Sequence, residues 1–116
     1  MRIVLVCAAT LGAEALADEE RLLTREEARR EIETARPDWL VTSGPDFKDV
    51  PAAAIREYEV AWLLYESYRG ESGASLEGLK RARESAEEAV RLAPDFFRGW
   101  IMLFDIANEV CVWEVE

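Results

Sequence analysis

Residues 75–109 read SLEGLKRARESAEEAVRLAPDFFRGWIMLFDIANE, two helical patterns separated at Pro94. In the first pattern, small and apolar residues recur every three or four positions and form one narrow stripe along a helix. The stripe consists of Leu76, Leu79, Ala82, Ala86, Ala89, Val90 and Ala93. Because alanine is small, another helix can approach this stripe closely. The second pattern, 96–109, is apolar on most of its circumference, which predicts a centrally buried helix.

Two further helices are predicted upstream of this pair. Thr24 and Glu27 have the spacing of a capping box, which predicts a helix that runs to about Ala35 before Pro37. A second helix is predicted from a cap at Asp49 to about Arg69, with Pro51 in its first turn. Residues 70–74 read as a loop, and Ser75 as the cap of the next helix.

Three segments have the pattern of β-strands. Arg2–Ala8 is almost continuously apolar, which is typical of a strand buried on both faces of a parallel sheet. Asp38–Ser43, which Gly44-Pro45 ends, predicts a second strand, and Val110–Val115 predicts a third because its apolar residues alternate. We therefore expect one α/β domain over residues 1–116, with about four helices on a small, mainly parallel three-stranded sheet, in the order β-α-β-α-α-α-β.

Composition restricts the partners and the chemistry. The 116 residues include 14 basic and 24 acidic side chains, a formal net charge of −10, and no histidine. Nucleic acid is an unsuitable partner, since binding it requires clustered Lys and Arg. A basic partner protein is compatible with the negative charge, and the alternative is that the charge serves solubility alone. With Cys7 and Cys111 as its cysteines, the chain cannot supply the four ligands of a structural zinc, and a Ser-His-Asp triad is excluded. We expect no metal and no cofactor.

The N-terminus imitates a secretory signal peptide. Arg2 precedes the apolar run Ile3–Ala13, and the small residues Ala15 and Ala17 precede an acidic cluster. The single basic charge and the β-branched core argue against secretion, so we expect a cytoplasmic or recombinant protein. No apolar run approaches the roughly 20 residues of a membrane span, and no membrane partner is expected.

Residues 62–107 contain a second recognisable order of side chains. Trp62 and Tyr65 precede the alanine stripe and Pro94, and Trp100 with Leu103 follow. This order resembles a tetratricopeptide-type helical hairpin, with a longer spacing between the two tryptophans than such repeats have. The resemblance implies an antiparallel pair of helices that builds a binding surface and performs no chemistry.

Residues 1–46 have a resemblance of their own. Cys7 ends the first predicted strand, a small-residue loop follows, and the second predicted strand ends at Gly44-Pro45. These features resemble the B component of sugar phosphotransferase systems. The resemblance implies that Cys7 carries a phosphoryl group and that backbone N–H groups of the following loop bind an anion. The loop lacks that family's run of Gly and Ser, and a buried, inert thiol is the alternative.

Other candidate residues follow from the predicted sheet and the aromatic side chains. The carboxyl ends of parallel strands share one edge, where Thr10, Gly12, Ser43 and Asp46 are candidate ligand-binding residues, although loops use the same residue types. Trp62 and Trp100 are candidate pocket walls, with a place in the core as the alternative. Asp105 lies in an apolar run, and its pKa would be raised if it faced inward.

Three functions are compatible with these residues. The first is a non-catalytic scaffold or binding module with an aromatic-lined pocket, whose partner is a small molecule or a protein surface. The second is a phosphoryl-carrying or thiol enzyme that uses Cys7, and the third is a carboxylate-based enzyme that uses Asp105 or Asp46. Regular caps, helices rich in Glu, Arg and Ala, and consistent local signals also resemble computationally designed domains. The oligomeric state stays open.

Overall fold

The computed structural model describes residues 22–69 and 76–115, and these ranges form four α-helices. The helices are α1 (Arg25–Thr34), α2 (Ala52–Tyr68), α3 (Leu76–Leu92) and α4 (Phe97–Val115), with a short 3-10 turn at Pro45–Phe47 between α1 and α2. The described ranges contain no strand and no sheet. The predicted α/β class, its three-stranded sheet and the order β-α-β-α-α-α-β are therefore wrong.

The segment predicted as the second strand, 38–43, is an irregular connection between α1 and α2. Its backbone bonds are local, since the N–H of Leu40 donates to Pro37 O at 3.1 Å and the N–H of Val41 donates to Trp39 O at 2.9 Å. No described strand lies beside it, and a strand without a partner leaves its ladder bonds unmade. The first predicted strand, Arg2–Ala8, lies outside the described residues.

The segment predicted as the third strand, 110–115, continues α4. Val110 is buried, and it extends the series of buried residues Met102 and Ile106 at intervals of four. A spacing of four places these side chains on one helix face, and their packing overrides the modest preference of valine for strands. The alternation of apolar residues was too short to distinguish the two structures.

The helix starts depend on local chemistry. The capping box of α1 is confirmed: the N–H of Glu27 donates to Thr24 Oγ1, and the N–H of Thr24 donates to Glu27 Oε1, both at 3.0 Å. The predicted cap of α2 at Asp49 is wrong. Asp49 adopts the left-handed region with φ of 67°, and α2 begins after Pro51 without a side-chain cap. The fixed φ of proline suits this position without one.

Helices α2 and α3 form an antiparallel pair. The Tyr68 ring at the end of α2 lies over Gly78 near the start of α3. Towards the other end, Arg25 of α1 bonds both Glu57 of α2 and the buried Ser85 of α3. The alanine stripe of α3 is buried as predicted, at Ala82, Ala86 and Ala89. Its small side chains let α2 approach α3 closely.

Helix α4 runs antiparallel to α3 at the edge of the described bundle. Lys80 near the start of α3 pairs with Glu114 near the end of α4, at 3.5 Å. One side of α4 is buried against the bundle, while Phe97 and Phe104 on the other side are exposed. The prediction of a centrally buried helix is therefore wrong for the described residues. None of the described helices is both long and apolar enough to cross a membrane.

Candidate functional site

The connection between α1 and α2 is held on α2 by a buried carboxylate. Glu59 is 7% exposed, and its Oε2 accepts hydrogen bonds from Arg36 Nη2 at 2.8 Å and from Thr42 Oγ1 at 2.6 Å. Arg36 Nη2 also donates to the carbonyl oxygen of Leu40 at 2.7 Å. Because the two donors lie on either side of Trp39 in the sequence, these bonds fix Trp39 over α2.

Trp39 and Trp62 form the walls of an open cleft. Their ring centroids are 5.6 Å apart and their planes are inclined by 56°. Trp39 is 44% exposed and Trp62 is half-buried. The cleft has a volume of about 430 Å³, and Glu66 and Ser67 complete its lining. Two tryptophan rings thus lie beside one exposed carboxylate.

A cluster of packed aromatic rings, of which Tyr58 and Phe96 are buried and Phe47 is partly buried, lies next to Trp62. Tyr58 meets Trp62 edge-on at 5.7 Å between centroids, and it contacts Phe96 at 5.2 Å and Phe47 at 5.5 Å. Tilted and edge-on pairs of this kind are the favoured aromatic arrangements. The packed neighbouring rings therefore hold the Trp62 ring in place. Less side-chain entropy is lost when a ligand binds to a ring that is already ordered.

Tyr58 is the group in this cluster whose protonation is perturbed. Burial raises the pKa of Tyr58 above its ordinary value. Asp105 and Asp46 raise this pKa further, while Arg98 opposes them. The phenol therefore stays neutral at physiological pH and contributes no charge next to Trp62.

The charged side chains at the rim of the cleft, Glu66 and Arg69, form an exposed ion pair. Glu66 pairs with Arg69 at 3.6 Å, one turn further along α2, and the Arg69 guanidinium lies 5.4 Å from the centroid of the Tyr65 ring. Exposed pairs of this length contribute little free energy. Glu66 can therefore exchange Arg69 for a cation in the cleft.

The sequence-predicted site residues are dispersed. Trp62 lines the cleft. Asp46 is exposed and pairs with Arg98 of α4 at 2.9 Å, and Ser43 lines a separate shallow groove next to Arg36 and Thr42. Trp100 is half-exposed and donates its indole N–H to Pro94 O at 2.8 Å. Asp105 is exposed. Cys7, Thr10 and Gly12 lie outside the described residues.

Sequence reasoning missed three residues of the cleft, Trp39, Glu66 and Ser67. Trp39 was assigned to a strand, although its position two residues after Pro37 is typical of a turn. Glu66 follows Trp62 by four residues, a spacing that places both side chains on one helix face. That pairing of an aromatic and an acidic residue was readable from the sequence.

The cleft has the chemistry of a binding site for a cation. Faces of Trp rings attract ammonium and guanidinium groups, and a neighbouring carboxylate adds to this attraction. Among the described residues, no group of three or more Cys, Asp and Glu side chains is placed to hold a metal ion. The chain matches no protein-family model, no curated protein and no solved structure at a significant level.

Proposed function

We propose that this protein is a non-catalytic binding module that holds a cationic side chain of a basic partner protein in the Trp39–Trp62 cleft. The observation that carries the proposal is the exposed Trp39 ring, fixed over Trp62 beside Glu66. An exposed tryptophan that is nevertheless held in place by a buried clamp is typical of a recognition surface.

The expected affinity of a single cation is low. A cation over an aromatic ring gains about 0.5–1 kcal/mol at an exposed site and about 2 kcal/mol when it is desolvated. An exposed carboxylate adds roughly 0.2–1 kcal/mol. The two tryptophan rings and Glu66 together contribute roughly 1–3 kcal/mol, which corresponds to a dissociation constant on the order of 10–100 mM for one cation. Several basic groups on one partner are needed for tighter binding.

The charge of the whole chain supports a basic partner. The formal net charge is −10, which attracts cationic proteins over distances longer than a contact. This attraction is screened by salt, because the Debye length falls to about 8 Å at physiological ionic strength. Binding should therefore weaken as salt is added, while the preference for the cleft remains.

The enzyme alternatives gain no support from the described residues. Asp46 and Asp105 are exposed, and Asp46 is already paired with Arg98. Exposed carboxylates such as these lack the enclosed cavity in which catalytic groups are usually held. The hypothesis of a Cys7 enzyme concerns residues outside the described ranges and stays a prediction.

A titration with a basic peptide tests the proposal. The probe is an acetylated, amidated tetralysine peptide, with the corresponding tetraglutamate peptide as the charge control, and calorimetry measures the affinity. We expect Trp39→Ala to weaken tetralysine binding roughly fivefold, because one cation–ring contact is lost. Glu66→Gln should weaken it about threefold.

Two matched variants separate the cleft from general electrostatics. Trp100→Ala removes a half-exposed tryptophan elsewhere, and Glu87→Gln removes an exposed acidic charge of α3. Both should leave the affinity for tetralysine unchanged within error. Equal weakening by Glu66→Gln and Glu87→Gln, or undiminished binding to Trp39→Ala, would show that the peptide senses net charge and not the cleft.

A further inference from the structure

Helix α4 carries a second apolar face, directed away from the bundle. We call it the outer face of α4, and its members lie one, three or four residues apart. They are Phe97, Trp100, Ile101, Phe104, Asn108, Cys111 and Val112. Phe97 is 66% exposed, Phe104 65% and Val112 59%. This spacing places them on one continuous stripe of the helix.

The outer face is large and carries no charged side chain among its members. One aromatic side chain presents about 150–250 Å² when fully exposed, so the outer face leaves on the order of 500 Å² of apolar surface in water. That is as large as the largest apolar patch on a typical monomer, and such patches are usually covered. None of the described residues covers it.

We propose that the N-terminal segment 1–17 of the same chain covers the outer face of α4. Residues 3–13 of this segment contain no charged side chain and include Ile3, Val4, Leu5 and Val6. Such a run gains free energy by leaving water, at about 25 cal/mol per Å² buried. The outer face is the described apolar surface that can receive it.

The chain enters the described bundle at a suitable place. Arg81 Nη1 donates to the carbonyl oxygens of Leu22 and Leu23, at 3.1 and 2.9 Å. The preceding residue of α3, Lys80, pairs with Glu114 near the end of α4. Residue 22 is thus held at the end of the bundle where α4 finishes.

The intervening chain is long enough to reach the face. From Glu114 back to Phe104, the centre of the outer face, α4 extends about 15 Å, since a helix rises 1.5 Å per residue. Residues 14–21 can span up to about 27 Å when extended. The linking residues are therefore longer than the axial distance that they must cover for residues 3–13 to lie along the outer face.

A second copy of the chain is a weaker occupant. Two outer faces together would bury on the order of 1,000 Å², below the usual range of stable dimers. Each copy also carries a net charge of −10, so association works against repulsion. A tethered segment avoids both costs, because its effective concentration is of millimolar order.

Cys111 reports directly on whether the outer face is covered. In the full chain with Cys7→Ser, Cys111 is the remaining thiol, and an aromatic disulfide reagent measures its reaction rate. We expect this rate to be at least about tenfold below that of the same chain unfolded in guanidinium, at every protein concentration. Adding Val4→Asp and Val6→Asp should raise the rate about tenfold, since the charges prevent burial of the segment.

The matched control is Val41→Asp, which introduces the same change at an exposed valine of the α1–α2 connection and should leave the rate of Cys111 unchanged. Far-UV circular dichroism confirms that all variants remain helical. Three results would overturn the proposal: a Cys111 that reacts in the folded chain as fast as in the unfolded one, protection that grows with protein concentration and so reports a second copy, or protection that Val4→Asp with Val6→Asp leaves intact.

Discussion

At position 78, a glycine inside a helix allows a tyrosine to lie flat against α3. A Cβ atom at this position would overlap the ring of Tyr68. The hydroxyl of the same tyrosine accepts a hydrogen bond from the N–H of Leu23 at 2.9 Å. Gly78 thus supports both the α2–α3 contact and the entry of the chain into α1.

Gly78→Ala should destabilise the protein by up to about 2 kcal/mol. Alanine is intrinsically better than glycine in a helix by about 1 kcal/mol, but overlap with a packed ring costs roughly 1–3 kcal/mol. Urea unfolding measures the difference. In a Tyr68→Ala background the overlap is gone, so the same substitution should become stabilising. A stabilising Gly78→Ala in the unmodified chain would contradict the contact.

The raised pKa of Tyr58 predicts that the free energy of unfolding depends on pH in the alkaline range. Its raised pKa means that the folded chain holds the phenolic proton more tightly than the unfolded chain, where the pKa is about 10. The stability from this proton is complete below pH ~10 and is lost as the pH rises through the folded pKa. Tyr58→Phe keeps the ring and removes the ionisation.

The free energy of unfolding should therefore fall more steeply above pH ~10 in the unmodified chain than in Tyr58→Phe. Other groups titrate equally in both proteins, so the difference isolates Tyr58. Urea titrations at several alkaline pH values measure it, and parallel curves for the two proteins would refute the burial of this hydroxyl.

At the scale of elements, the connection between α1 and α2 is held in its conformation by Glu59 of α2. Regular backbone bonding is absent between Ala35 and Gly44, yet Arg36 and Thr42 both bond Glu59. This clamp is what holds Trp39 in ring contact with Trp62. Helix α2 therefore supplies two parts of the cleft. Trp62 is one wall, and Glu59 holds the connection that carries the other wall, Trp39.

Glu59→Ala should release Trp39 and cost about 1–3 kcal/mol, since Arg36 and Thr42 lose the charged acceptor that both of them bond. Near-UV circular dichroism should lose the signal of the coupled tryptophans. Glu57→Ala is the matched control, because it removes the acceptor of Arg25 and Arg29 on the same helix and leaves the connection untouched. Equal spectra for the two variants would contradict the clamp.

The sequence predicted the helices better than their surroundings. The Thr24 capping box and the alanine stripe of α3 involve residues a few positions apart, and their signals were sufficient. The segments 38–43 and 110–115 were misassigned because a short alternation cannot show whether a strand partner exists. Their states are decided by Glu59, distant in sequence, and by the continued burial of Val110.

The cleft was predictable only in part. Trp62 was a candidate from its aromatic character, and Glu66 was readable from its spacing. The contact of Trp62 with Trp39 arises through the Arg36–Glu59 bond, which joins residues 23 positions apart. The pairing of Asp46 with Arg98 spans 52 positions. Such contacts follow from tertiary packing, which local patterns do not specify.

Over the whole molecule, two surfaces of different chemistry stand out. The Trp39–Trp62 cleft combines ring faces with Glu66, whereas the outer face of α4 is apolar and free of charged members. A net charge of −10 favours basic partners at the first surface, and covering the second removes apolar area from water. The function proposed for this chain, a cation-binding module, depends on the first surface.

Indole N–H chemical shifts measured with tetramethylammonium chloride, against sodium chloride at equal ionic strength, test this function most directly. We predict that the signals of Trp39 and Trp62 move together with a dissociation constant on the order of 10–100 mM, and that the half-exposed Trp100, bonded to Pro94, does not respond. Equal small shifts of all indole signals, or a response at Trp100 alone, would contradict the account.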